Sequence, residues 1–416
     1  MSSSPTTPDP RRMSLPVEGG GAPGWSRLLV VFWLTSMVEG AGVSQVFALL
    51  PTYLTQLGVV DGDRLAFVGL FGSLIFVVGA PLVPLWGVWA DKYSRKAVIV
   101  RSALVEAVVF AGVALSREPW QLALSLLLIG LQLGNTGVML AAIRDVAPRA
   151  RLGTVIAVFG ASGPVGFAVG PAVAGILVDG FGWSLSGVFA SSAVISVAIA
   201  GLVAFGTREI RPSVVPEGAV LRLAYGAIRG VLVDPAVRAI FAIYAVAFLA
   251  TQMSRPYVPI LVEQVVRPGE ALTSSIALVA GTAALVGALV SPLGGAMGDR
   301  IGFRPVLVAA LLAGGAALAL MPAAPSVPLL ALVALVYAAA SAAVGAMIFG
   351  VLATEVPPER RSATLNLVYL PLYAAGIVGP ATGAVAVSAG GLAGPFAIGA
   401  LVSLAGALAV AVQRRR

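Results

Sequence analysis

From Leu28 to the C-terminus the chain is a succession of apolar runs, most of them about 20 residues long, separated by short polar turns. No other feature constrains the fold as tightly. About 20 residues of α-helix cross the hydrocarbon core of a bilayer, and backbone groups in lipid must find hydrogen bonds within their own segment. Runs of this length therefore predict membrane-spanning helices. They fall near 28–50, 65–86, 97–115, 120–142, 153–177, 184–206, 237–261, 273–295, 305–322, 327–351, 363–387 and 391–411. The first is longer than the ~7–15-residue core of a signal peptide.

Composition agrees with lipid as the main solvent. Hydrophobic residues make up 59% and charged residues 11%, and the mean hydropathy is +0.99. A soluble domain carries about 25% charged residues. There is no Cys and no His. That removes disulfides, thiolate nucleophiles, imidazole bases and the usual zinc ligands. No G-x-x-x-x-G-K-[ST] phosphate loop occurs. An enzyme, a cofactor and a bound metal are therefore not expected. Proton handling near neutral pH would fall to carboxylates whose surroundings tune them.

The net charge of +8 could suggest nucleic acid, but its distribution points to membrane topology. With twelve spans and both termini on one side, Arg64, Arg117 and Arg267 fall in loops on the other side and Arg255 falls inside a span. The remaining basic residues, from Arg11 through Lys92, Arg101, Arg144 and Arg208 to Arg416, share the side of the termini. The positive-inside rule makes that side cytoplasmic. The sequence thus predicts an integral protein of the cell membrane with the lipid bilayer as its partner. Nucleic acid is not expected as a partner, and the protein is expected to be a monomer.

The chain repeats itself at an offset of roughly 209 residues. Gly87-Val-Trp-Ala-Asp91-Lys92 recurs as Gly295-Ala-Met-Gly-Asp299-Arg300, Asp145-Val-Ala-Pro148 as Glu355-Val-Pro-Pro358, and Val169-Gly170-Pro171 as Val378-Gly379-Pro380. Duplicated halves are typical of transporters, with the substrate site near the midplane between them. The expected organisation is a disordered tail at 1–24, a six-helix bundle at 25–206, a linker at 207–236, a second bundle at 237–412 and a basic tail at 413–416.

At these residues the sequence resembles the major facilitator superfamily. The loop motif of that family between helices 2 and 3, G-x-x-x-D-(R/K)-x-G-(R/K)-(R/K), matches at Gly87, Asp91, Lys92, Arg95 and Lys96, with Ser94 where glycine is usual. The second copy matches at Gly295, Asp299, Arg300, Gly302 and Arg304. The resemblance implies an all-α membrane fold of twelve transmembrane helices in two pseudo-symmetric six-helix bundles. It also implies a cytoplasmic gate in which Arg95 reaches Asp145 and Asp91 sits at the start of span 11, around 362–366. Gly160, Gly163, Pro164, Gly166, Gly170, Pro171 and Gly175 resemble the span 5 motif of the drug/proton antiporters. Small residues let helices approach closely. The glycine face of span 5 is expected against span 8, and the matching face at Gly379 and Pro380 against span 2.

Three ionisable residues fall well inside spans: Glu39, Glu106 and Arg255. A charge at mid-membrane costs ~2.5–3.5 kcal/mol even on the lenient scale, so each calls for a reason. Glu39 and Glu106 are the candidate proton-coupling residues. Glu39 lies beside Gly40 and Gly42, which are expected to thin its helix and make it accessible. Arg255 either faces the cavity or reaches back to the interface. The expected substrate cavity comprises Glu39, Gln132, Asn135, Gln252, Arg255, Asn366, Tyr369 and Tyr373. The drug-exporter branch carries an Arg in span 4 three residues before a Gln, but Ile129 stands there before Gln132, so that role is not carried over. The reading is a secondary active transporter exporting small amphiphilic compounds, drugs or secreted metabolites, against protons by alternating access. The alternatives are a metabolite or sugar permease working by symport or uniport, and a non-transporting membrane sensor.

Overall fold

The computed structural model describes residues 23–212, 215–233, 235–355 and 370–412, and all regular structure among them is helical. The first six spans are α1 (Trp25–Gln56), α2 (Asp61–Lys92), α3 (Arg95–Leu115), α4 (Pro119–Val146), α5 (Arg149–Gly180) and α6 (Leu185–Gly206). A linker helix follows at Val220–Val233. The second set begins with α7 (Pro235–Ser254), which continues through a turn at Arg255–Tyr257 into Val258–Val265. Then come α8 (Leu272–Ile301), α9 (Phe303–Ala323), α10 (Val327–Glu355), α11 (Leu370–Gly390) and α12 (Gly394–Val412). Most helices outrun the apolar stretches that announce them, because their polar ends continue past the lipid. α2, for example, extends to Lys92.

The packing repeats at an interval of six helices. α1 lies along α5 as α7 lies along α11, and α3 lies along α6 as α9 lies along α12. Between the two sets α5 meets α8 and α11 meets α2. The repeat read from the sequence is therefore also a repeat of helix partners.

Two helix breaks meet at mid-depth. α2 is interrupted at Val78, ahead of Pro81 and Pro84, and α4 tightens into a 3-10 turn at Ile129–Leu131. A Cβ on Gly130 would lie 2.5 Å from the Gly79 nitrogen, and one on Gly79 would lie 2.7 Å from the Gly130 oxygen. Neither position has room for a side chain. Gly134 restarts α4 at φ 99°, a left-handed conformation that glycine adopts without steric cost.

The glycines of α5 correct one expectation. A Cβ on Gly166 would strike the Met37 carbonyl, and one on Gly170 would strike the Ala41 carbonyl, both in α1. The glycine face of span 5 therefore meets span 1. Toward α8 it is Ala168 that faces Gly281 and Gly175 that faces Ser274. Gly163 has open space beside its Cα, although its carbonyl oxygen lies against Gly40. On the second side Gly379 and Gly383 pack on Gln252 and Met253 of α7, while Pro380 faces Gly69 and Gly72 of α2. A stripe of small residues announces a close contact but does not name the helix that makes it.

The bonds between the two sets lie from mid-depth toward the face opposite the basic loops. Arg64 Nη1 donates to Glu263 at 3.1 Å, the Ser274 amide donates to Asp179 at 2.6 Å, and Ser73 donates to the Ile377 carbonyl at 2.8 Å. The Phe76 ring packs on Gly376 and on Tyr373, with ring centroids 6.4 Å apart in the latter pair. Toward the basic face, Gly153 and Gly160 of α5 have open space beside them. There the linker helix lies against α2, with Tyr225 donating to the Pro81 carbonyl at 2.5 Å. Among the described residues, the side-chain bonds between the two sets gather toward the face opposite the basic loops.

Candidate functional site

The embedded acids come together in one polar nest between α1, α3 and α4. Glu39 is 7% exposed. Its Oε1 accepts from the Asn135 amide and lies 3.2 Å from the Ser102 hydroxyl, which also donates to the Gln132 carbonyl at 2.6 Å. That carbonyl is free to accept because the 3-10 turn of α4 disrupts the helical ladder there. Glu106 lies one helical turn further along α3 and is fully buried. Its carboxyl oxygens have no hydrogen-bond partner of good geometry among the described residues, although Ser196 and Gln132 are polar neighbours. The two carboxyls are close enough to interact electrostatically.

Gly40 and Gly42 do not expose Glu39, as the sequence suggested. A Cβ on Gly40 would lie 2.8 Å from the Gly163 carbonyl of α5, so this glycine seats two helices together. A Cβ on Gly42 would meet the Phe110 ring and lie 2.6 Å from Glu106 Oε1. The absence of a side chain at position 42 is what makes room for the second carboxyl.

A fourth embedded charge was missed in the sequence. Arg101, grouped above with the cytoplasmic basic residues, lies within α3 next to Ser102. Its guanidinium stacks on the Trp86 ring at 3.6 Å, its three nitrogens are buried without a hydrogen-bond partner among the described residues, and its charge reaches Glu39. Its position inside the third apolar run was the available signal.

Arg255 projects inward and does not reach back to the interface. The turn at Arg255–Tyr257 aims its guanidinium across to the first set of helices. There it sits between Phe47 of α1 and Phe167 of α5, 4.4 and 4.6 Å from the ring centroids. Tyr337 of α10 is a further neighbour. Gln132 and Asn135 are buried in the nest, Gln252 is buried against Gly379, and Tyr373 flanks Phe76. Asn366, Tyr369 and the segment 362–366 expected beside Asp91 lie outside the described residues.

The loop motif forms a tight cluster on the basic face. Arg95, 3% exposed, donates to Asp91 at 2.8 Å and to Asp145 at 2.7 Å. Ser94, the departure from the family motif, caps α3 by accepting from the Ala97 amide at 2.9 Å. It also donates to Glu209 at 2.5 Å. Lys92 and Lys96 donate to the carbonyls of Gly218 and Thr207. The motif thus holds the start of the linker as well as its own acids. In the second copy, Asp299 and Arg300 are exposed at the end of α8, and Gly295 has open space beside it.

The sequence profile described as the Major Facilitator Superfamily matches residues 28–276 and 240–416. The chain belongs to the major facilitator superfamily. Within it, the chain is similar to the multidrug resistance protein MdtG of Citrobacter koseri, with 32% identity over 293 residues, 69% of this chain and 70% of that protein. It is 30% identical to the MdtG protein of an Escherichia coli strain over 302 residues, 71% of this chain and 72% of that one. Among solved structures, a mutant of the nucleoside transporter NupG superposes with a TM-score of 0.78 at 17% identity, covering 93% of this chain and all of that one. The human organic anion transporter MFSD10 gives 0.67 at 19% identity, covering 94% and 100%. At these identities the structural likeness shows the shared fold. The protein is an integral membrane transporter of this superfamily, and its relatives are transporters and not enzymes.

Proposed function

We propose that this transporter exports small amphiphilic compounds in exchange for protons, with Glu39 as the principal proton carrier and Glu106 as its coupled neighbour. The observation that carries the reading is the nest itself. Two carboxyls, buried at mid-depth on adjacent helices, share polar neighbours in a chain without histidine. Embedded acids facing a bundle interior mark proton and substrate paths. Similarity to proteins named for multidrug resistance supports export of foreign amphiphiles.

The serine between Glu39 and α4 suggests how a proton moves the helices. Ser102 has one hydrogen and two acceptors. When Glu39 is protonated, its O–H donates to Ser102, whose own hydrogen goes to the Gln132 carbonyl. When Glu39 is ionised, that hydrogen turns to the carboxylate and the carbonyl at the α4 break is released. The proton state of α1 is thereby linked to a helix break that packs against α2. One proton moving down a ~100 mV potential supplies ~2.3 kcal/mol, enough to drive modest accumulation.

In this reading residues 25–206 and 237–412 rock as two units about the substrate cavity, and both termini face the cytoplasm of the cell membrane, the orientation that the basic loops favour. The loop motif at Gly87–Lys96 and its copy at Gly295–Arg300 then gate the cytoplasmic side. The test is purified transporter in proteoliposomes with an imposed pH difference. Substrate accumulation driven by that difference, opposite in direction to the proton, supports the reading. Transport indifferent to the pH difference would favour uniport.

A further inference from the structure

Arg255 is an embedded cation without an acidic partner among the described residues. Charges inside a membrane protein are paired, with one another or with what passes through. The acids of the nest belong to α1 and α3, bound to or surrounded by Asn135, Ser102, Gln132 and Ser196. Arg255 is held instead against two aromatic rings, Phe47 of α1 and Phe167 of α5. A guanidinium meets an aromatic ring with its flat face and keeps its N–H donors in a planar fork at the edge. That edge is the geometry that takes a carboxylate, sulfonate or phosphate by two parallel hydrogen bonds. Arg255 is also a point where the second bundle reaches into the first, against Phe47 of α1 and Phe167 of α5.

We propose that Arg255 is an anion-recognition residue of the cavity, and that the transported amphiphile carries an acidic group that docks on the guanidinium edge while its apolar body lies against Phe47 and Phe167. This rests on the export reading above and narrows its substrate class. Neutral or cationic amphiphiles would lack the one contact that relieves this charge.

The test measures equilibrium binding to the purified full-length transporter, without any gradient, of three probes of like shape: 2-naphthalenesulfonate, 2-naphthalenesulfonamide and 2-naphthylmethylammonium. The wild type is expected to bind the sulfonate at least tenfold more tightly than the other two. Arg255→Gln should remove that difference, with a wild-type melting temperature showing that the variant is folded. Arg255→Lys, keeping the charge without the fork, should retain part of it. Failure of the wild type to prefer the sulfonate, or an undiminished preference in Arg255→Gln, overturns the proposal. Accumulation of the sulfonate in proteoliposomes under an imposed pH difference is read separately. Its absence alongside an intact Arg255-dependent preference removes the proton-coupled reading and leaves the anion site standing.

Discussion

Arg64, in the first turn of α2, donates to both carboxylate oxygens of Glu263 near the end of α7, at 3.1 and 3.2 Å. The pair joins the two bundles on the face opposite the basic loops. Arg64 is largely enclosed and Glu263 is partly exposed, so solvent screens the interaction, and it is worth about 1 kcal/mol. Arg64→Ala should then shift the balance between the two openings about fivefold toward the alternate state. The chain has no cysteine. Spin labels at Val60→Cys and Glu270→Cys, both exposed, therefore report the distance across this face without further changes. The distance distribution should gain a longer component in Arg64→Ala and lose it again in the charge-swapped double variant.

The cluster at the basic face makes a second prediction. Arg95 holds two acids from two helices with one planar group, and it is almost fully buried. Removing it leaves Asp91 and Asp145 facing each other, partly exposed, at a cost of about 2–3 kcal/mol. Arg95→Ala should lower the melting temperature of the purified protein, and Arg95→Lys should recover little, since an ammonium cannot bridge both acids in this way. Asp91→Asn, which removes only one arm, should melt closer to the wild type while transporting less. Full transport by Asp91→Asn would remove the gating role of the motif.

The α1–α5 interface makes a third. Gly166 and Gly170 face backbone carbonyls of α1, which cannot move aside as a flexible side chain could. Gly166→Ala should destabilise by about 1–3 kcal/mol through overpacking, and Gly166→Leu by more. Gly163→Ala, which projects into open space, should change the melting temperature little. Equal effects at 163 and 166 in a thermal-melting series would mean that the glycine face is placed wrongly.

These three cases show what the sequence makes legible. The membrane class, the span positions and the internal repeat follow from apolar length and from like residues at a fixed offset, both local properties. Glu39 and Arg255 stand out for the same reason, as charges within apolar runs. Partnership is not local. Glu39 and Glu106 lie on different helices, and nothing in either run says that Gly42 clears a space for the second carboxyl. The glycines of span 5 announce close packing, yet Gly166 and Gly170 meet α1 where the family resemblance led to span 8, which only Gly175 reaches. Arg101 is not legible in the same way, because a residue near the end of a span can lie in the loop or along the helix, and the choice depends on Trp86, a residue of another span.

The central claim is that Glu39 carries the coupled proton, and Glu39→Gln tests it most directly, because glutamine keeps the shape and the bond from Asn135 but cannot release a proton. In proteoliposomes with an imposed pH difference the variant should fail to concentrate substrate against its gradient, while exchange of labelled for unlabelled substrate continues near the wild-type rate and Glu106→Gln retains part of the uphill transport. Accumulation by Glu39→Gln against a gradient, at the wild-type level and driven by the pH difference, would contradict the account and move the proton to Glu106.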